Sequence, residues 1–301
     1  MKIKSLGLKV SLIVALMFTV IIVFIVLIVY AQSTRLIDDL TTKEAAAANV
    51  SFKKEIQALQ DEALLIARII AYSSIVADAV ASRDEDALNA ALAYYHDETD
   101  TLTVCDAEGN ILAHAHDGAS SGNIYNEDTV SETLTTGTGM GVLMHNADGF
   151  ATRGSSAIKN ADGKIIGAVI CGHDLSNPAY IDAVKEVTGS EVTIFNGDTR
   201  YMTTIINESG NRVVGTPATN EVVETVLVKQ NDYSLQIPLF GQMYHAHYTP
   251  LIIKGEVTGM LFTGIPIDDT LSGQRSMMMW VILSGVLCGV VCIIAVMIFN
   301  T

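Results

Sequence analysis

Two uninterrupted apolar runs, one at each end, limit what this chain can fold into more than any other feature. No charged residue occurs from Val10 to Thr34 or from Ser276 to Thr301. At about 1.5 Å per residue a helix through either run is long enough to cross a hydrocarbon core of roughly 30 Å, so both are expected to be transmembrane helices, over 10–31 and 276–299. A cleaved signal peptide is the competing reading of the first run, since Val29-Tyr30-Ala31 offers the small residues a signal peptidase accepts. The run exceeds the roughly 7 to 15 apolar residues of such peptides, which favours a span. Lys2, Lys4 and Lys9 precede it and place residues 1–9 in the cytoplasm by the positive-inside rule. Two crossings then leave residues 32–275 outside the cell membrane as one extracytoplasmic block of a multi-pass protein.

Charge agrees with that layout. All 33 acidic residues lie between the runs, against 15 of the 18 basic ones, which leaves the block at −18. A surface of that sign without a Lys/Arg cluster excludes nucleic acid as a partner, and any anion must be held by local groups against the general field. Cys105 and Cys171 fall in separate strand-like runs and read as buried thiols or a pair; Cys288 and Cys292 share a face of the second apolar helix, where helix packing or acylation is expected.

Residues 34–81 contain neither Gly nor Pro, and Leu36, Leu40, Ala47, Val50, Ile56, Leu59, Ala63, Ile66 and Ile70 recur at three- and four-residue spacing. This pattern predicts a helix running straight on from the membrane, with Ser82 capping a second helix through Glu98, so that 32–98 form a helical stalk. After Asp100 the texture turns to short β-type runs broken by Gly, Asn and Asp, as in "TLTVCDAEGNILAHAH" and the hairpin around "NADGK", with "PAYIDAVKEVTG" a short helix between. The strand pattern then repeats. "LTVCDAEGN" aligns with "VTIFNGDTR" at an offset of 90, and "KIIGAVICGHDL" with "EVTGMLFTGIPI" at 92. The expected fold is therefore α+β, a long N-terminal helix followed by two tandem modules with antiparallel sheets, a membrane-distal one over 99–180 and a membrane-proximal one over 181–270.

Candidate binding residues follow from alternation along strands. His114 and His116 project from one face of the second strand, beside Leu112. A metal there needs a further ligand such as Asp117, His145 or His173, and the spacing supplies none, so no metal and no cofactor is expected. Between Asp84 and Ile158 the only Lys or Arg is Arg153. A guanidinium fork suits a carboxylate, and a solitary one on a strand points to an organic anion, unless a local acid pairs with it. In the proximal module Arg200, Tyr244 and Tyr248 offer a cation and two phenols, either as a weaker second site or as half-buried core. Enzymatic chemistry is not expected: no nucleophile elbow or Gly-rich phosphate loop occurs, and the acidic pairs at 38–39 and 268–269 adjoin helices rather than a cleft.

With "GDTRYMTTI" at 197–205, "VVGTPA" at 213–218, "YHAHYTPL" at 244–251 and "GMLFTGIP" at 259–266, the region 32–270 resembles the double Cache sensor domains of bacterial methyl-accepting chemotaxis proteins, of the type fusing a Cache 3 to a Cache 2 unit. The resemblance implies PAS-like modules, a small extracellular ligand, a parallel homodimer, and a helix displacement passed through the membrane to cytoplasmic chemotaxis proteins. It also implies that His116 and Arg153, with Ser155 on the same strand, correspond to the histidine and later-strand arginine that hold carboxylates in single Cache units. The arginine usually preceding that histidine is replaced, with Ala113 near its place and His114 close by. The chain ends at Thr301 without a HAMP linker or transmitter, so either the sensing part of a longer receptor or a truncated product is expected. A histidine kinase or diguanylate cyclase sensor, or an anchored interaction module that binds no ligand, are the alternatives.

Overall fold

A computed structural model describes residues 6–116, 122–146 and 149–299. The chain forms two compact units: one gathers the N-terminal stretch up to Ala45, Ser234–Ala246 and the chain from Gly264 onward, and the other comprises Ala46–Tyr233 and His247–Thr263. Helix α1 (Leu6–Ala71, 66 residues) and helix α7 (Asp268–Phe299) are each long and apolar enough, by length and composition, to cross a membrane. In the first unit they pack closely at Gly285, where an added Cβ would lie 2.9 Å from Ile22 Cγ2. Small residues at such crossings let backbones approach within van der Waals contact.

The stalk departs from its expected course at two points. α1 stops at Ala71, Ser73 turns to an extended conformation (φ −71°, ψ 123°), and α2 (Ser74–Ser82) restarts the helix, ending on Arg83 in the left-handed region at φ 56°. Ser82 does not cap the next helix, because its hydroxyl donates back to the Asp78 carbonyl at 2.8 Å. Asp84 takes that role for α3 (Glu85–Leu92), accepting from the Ala87 N–H at 3.0 Å, and a 3₁₀ segment Ala93–Glu98 completes the stretch.

The strands recur along the chain in the repeated order the offsets predict. β1 (Thr101–Asp106), β2 (Ile111–His114), β3 (Met140–Asn146), β4 (Gly149–Lys159) and β5 (Ile165–Asp174) form a sheet ordered β2-β1-β5-β4-β3, with α4 (Asp128–Thr136) between β2 and β3. After α5 (Pro178–Thr188) come β6 (Glu191–Asn196), β7 (Thr199–Thr203), α6 (Asn220–Val222) continued by a π-helical segment Val223–Val228, β8 (Tyr233–Leu239), β9 (Gln242–Ile253) and β10 (Glu256–Pro266). Their order, β7-β6-β10-β9-β8, is that of the first sheet translated along the chain, and both sheets are antiparallel.

Three five-residue turns share one chemistry. Asp106, Asn160 and Asn207 each accept, through a side-chain oxygen, the backbone N–H groups two and four residues on. Gly109, Gly163 and Gly210 each occupy φ +80° in the fourth position, where a side chain would be strained.

One face of the distal sheet packs on helices. Ala63, Ile66, Ala67 and Ile70 of α1 join Leu88, Leu92, Leu102, Val104 and Val169 in a single core. Contact is at backbone distance: a Cβ on Gly154 would lie 2.1 Å from the Ala63 carbonyl carbon, and Cys171 Sγ donates to the Ala63 carbonyl at 3.1 Å. Each fully buried leucine here contributes about 1.5–3 kcal/mol. A second core, lower on α1, joins Phe52, Ile56 and Leu59 to Ile181, Val192 and Leu261. The other face of the distal sheet is covered in part by α4, through Val130 and Leu134 against Cys105, Ala168 and Ile170. Cys105 and Cys171 are free and buried, and burial pushes both thiols up to about 12.

Candidate functional site

Register places the candidate residues of the distal module on the face opposite α1. Thr101, Gly172, Arg153 and Val142 lie side by side across β1, β5, β4 and β3. Thr103, Ile170, Ser155 and Met140 form the next row, with His114 opposite Thr103 at its end. Gly172 has no side chain, so the Arg153 guanidinium reaches over it and Nη1 donates to Thr101 Oγ1 at 3.0 Å, with a longer bond to the Thr152 carbonyl at 3.3 Å. Among the described residues no carboxylate lies within ion-pair distance of Arg153. A local acid that neutralises it is therefore not found in the described structure, while Asp117 lies outside the described residues.

His114 and His116 do fall together, although β2 ends at His114 and His116 lies in the bend beyond it. His114 Nδ1 is 2.6 Å from Thr103 Oγ1, and its ring meets that of His116 edge-on at 6.3 Å. Burial, then the neighbouring His116 and Arg153, hold the His114 imidazole below its usual value. His116 Nε2 donates to the His96 carbonyl at 3.0 Å, and its Nδ1 is buried with no hydrogen-bond partner among the described residues. The His96 ring stacks on His116 with centroids 4.5 Å apart. A cleft of about 470 Å³ opens beside these groups, lined by Asn89, Ala93, His96, Asp97, His114 and Ala115.

Ser155 has a different occupation. It is fully buried, 2.6 Å from Thr133 Oγ1 and 3.5 Å from the Thr129 carbonyl, so its hydroxyl ties α4 to β4. Sequence reasoning missed Thr101, Thr103 and His96. Alternation in "TLTVC" places the two threonines on one face, but only the strand order sets them beside Arg153 and His114. Among the described residues, His, Cys, Asp and Glu side chains nowhere converge in groups of three suited to a metal ion.

The proximal candidates are packed differently. Arg200 is buried at 3% exposure, its Nη1 donating to Thr216 Oγ1 at 3.0 Å and to the Pro217 carbonyl at 3.3 Å. Its guanidinium carbon sits 5.0 Å above the Phe195 ring, which in turn belongs to an aromatic run with Tyr248 and Phe262. Burial lowers Arg200 and raises the Tyr248 phenol to about 12. Tyr244 lies in the other unit, where its hydroxyl donates to Gln242 Oε1 at 2.8 Å.

Residues 174–276 match the family model described as single Cache domain 3. No curated protein matches the chain. Among solved structures, the sensory domain of the Campylobacter jejuni chemoreceptor Tlp3 is 12% identical and superposes with a TM-score of 0.52, over 79% of this chain and 97% of that one. The sensor domain of the V. cholerae histidine kinase DctB is 13% identical at a TM-score of 0.50, over 76% and 98%. The Tlp3 ligand-binding domain with 4-methylisoleucine bound is 14% identical, also at 0.50, over 79% and 92%. At these identities the likeness concerns the fold, which is that of sensor domains from both chemoreceptors and histidine kinases.

Proposed function

We propose that this chain is the sensing region of a transmembrane receptor and that its distal module binds a small organic anion through Arg153, His114 and His116. In this reading α1 and α7 cross the membrane, 32–98 are the stalk, 99–180 and 181–270 are the distal and proximal modules, and two copies pair in parallel. The observation that carries the ligand class is the Arg153 guanidinium. It lies across the sheet over Gly172 with a threonine hydroxyl and a carbonyl as acceptors and no carboxylate among the described residues. A half-buried cation left without a counter-charge is costly, and a ligand carboxylate, able to accept two parallel N–H bonds, supplies one. Thr101, Thr103 and the imidazoles are placed to complete the contacts; Ser155 positions α4 rather than touching the ligand.

The proximal module we read as structural. Arg200 holds the 213–218 loop through Thr216 and Pro217, and a ligand using Arg200 and Tyr248 would have to displace that loop. Chemotaxis is the output we favour. Control of a histidine kinase is the second reading, supported by the comparable likeness of this fold to the DctB sensor domain. The test is thermal melting of the full chain in detergent against mono-, di- and tricarboxylates, amino acids and purines. A ligand at a hundredfold excess over Kd stabilises the folded state by about 2.7 kcal/mol. The reading expects a shift with at least one carboxylate, lost in Arg153→Ala; a shift confined to uncharged purines would overturn it.

A further inference from the structure

A partly buried polar chain runs along the opposite face of the distal sheet. Tyr180 Oη donates to Asp100 Oδ2 at 2.7 Å, so the phenol proton is committed to the carboxylate. The 3.0 Å contact between Tyr180 Oη and His173 Nδ1 must therefore be donated by the histidine, which carries its proton on Nδ1. Nε2 of a neutral His173 is then a lone pair. It is buried, has no hydrogen-bond partner among the described residues, and faces Glu62 Oε2 of α1 at 3.8 Å. Lone pair against carboxylate is a repulsive arrangement that one proton converts into a charge-assisted hydrogen bond.

We infer that His173 is a proton-binding site, separate from the distal anion site, through which acidification draws Glu62 on α1 toward the end of β5. The proton adds to Nε2, the cation is shared between Glu62 on one side and Tyr180–Asp100 on the other, and no other bond is broken. The groups that act on His173 are Glu62 from α1, Asp100 ahead of β1, Tyr180 from α5 and, by its charge, Arg153 from β4. Burial and Arg153 oppose the charge, whereas Glu62 and Asp100 favour it, and burial weighs most, so the proton is taken up below the ordinary imidazole range. Glu62 lies half exposed, and its side chain is at liberty to close the remaining distance. His173 sits at 3% exposure where α1, β1, β5 and α5 meet, so a movement here reaches the long helix directly.

The experiment is a pH titration of the histidine ring resonances in the full chain, ¹³C-labelled at histidine and held in detergent, with His173 assigned through His173→Asn. The expected result is a His173 midpoint below 6.5 that falls further, by about tenfold in proton affinity, in Glu62→Gln. Arg153→Ala should leave the titration in place with its midpoint raised, since the Arg153 charge opposes protonation of His173. A His173 ring that does not titrate between pH 4.5 and 8, or a midpoint unmoved by Glu62→Gln, overturns the proposal.

Discussion

At the scale of the residue, the distal site is an exercise in leaving one cation unsatisfied. Arg153 donates to neutral oxygens, and burial, then His116 and Arg153 itself, hold the His114 imidazole below its usual value. An anion bound among them would favour protonated His114 and raise its midpoint, so binding takes up a proton. Affinity for a carboxylate should therefore rise as pH falls from 8 through 6.5, most steeply below it, and calorimetry at several pH values checks this; in His114→Asn the dependence should flatten. The unliganded protein should behave in the opposite sense. His114, His173 and His245, a buried ring on β9 beside Thr42, all have folded midpoints below 6.5, burial being the largest cause of each. About one pH unit above 6.5 and higher, neither state is appreciably protonated and stability is full. As pH falls, the unfolded chain binds protons that the folded one resists, so the melting temperature should drop between pH 7.5 and 5. A melting temperature that rises on acidification contradicts the burial of these rings.

At the scale of the element, contacts between backbones set the tolerances. Gly154 has no room for even a methyl group, since its Cβ would lie 2.1 Å from a main-chain carbon of α1 and a helix backbone cannot give way as a side chain can. Gly154→Ala should cost at least the roughly 1–3 kcal/mol of an overpacked core, whereas Gly163→Ala, with open space around it but φ +80°, should cost about 1 kcal/mol. Chemical denaturation of both variants decides this, and equal losses would deny the close approach. Much at this scale was legible in the sequence. The copied strand pattern fixed both sheets, because β1 and β6 start 90 residues apart and β5 and β10 end 92 apart. The interruption at Tyr72–Ser73 was not legible, as neither residue breaks a helix by itself and the break shows only in the fold. Nor was the pairing of Arg153 with Thr101, 52 positions apart, which needs β5 between β4 and β1 and a glycine at the crossing. The nearness of His114 and His116 was legible in their spacing; His96 stacking on His116 was not, since it rides on a 3₁₀ segment with no sequence periodicity to betray it.

At the scale of the whole molecule, the reading is a sensor held between two membrane helices. Its topology is testable with a membrane-impermeant maleimide on intact cells. Tyr72→Cys, at a position 82% exposed on the stalk, should label from outside, while Lys4→Cys should label only after lysis. The reverse pattern would invert the protein in the membrane and remove the extracellular ligand with it. The central claim, however, is that a carboxylate-bearing molecule is held by Arg153, and calorimetric titration of the full chain tests it most directly. The wild type and the Arg153→Ala and Arg153→Lys variants would each be titrated with the carboxylate that melts highest, at pH 6 and pH 8. The account predicts binding to the wild type, stronger at pH 6, a loss of tenfold or more in Arg153→Lys because the bidentate fork is gone, and none detectable in Arg153→Ala. Wild-type affinity in Arg153→Ala would contradict it.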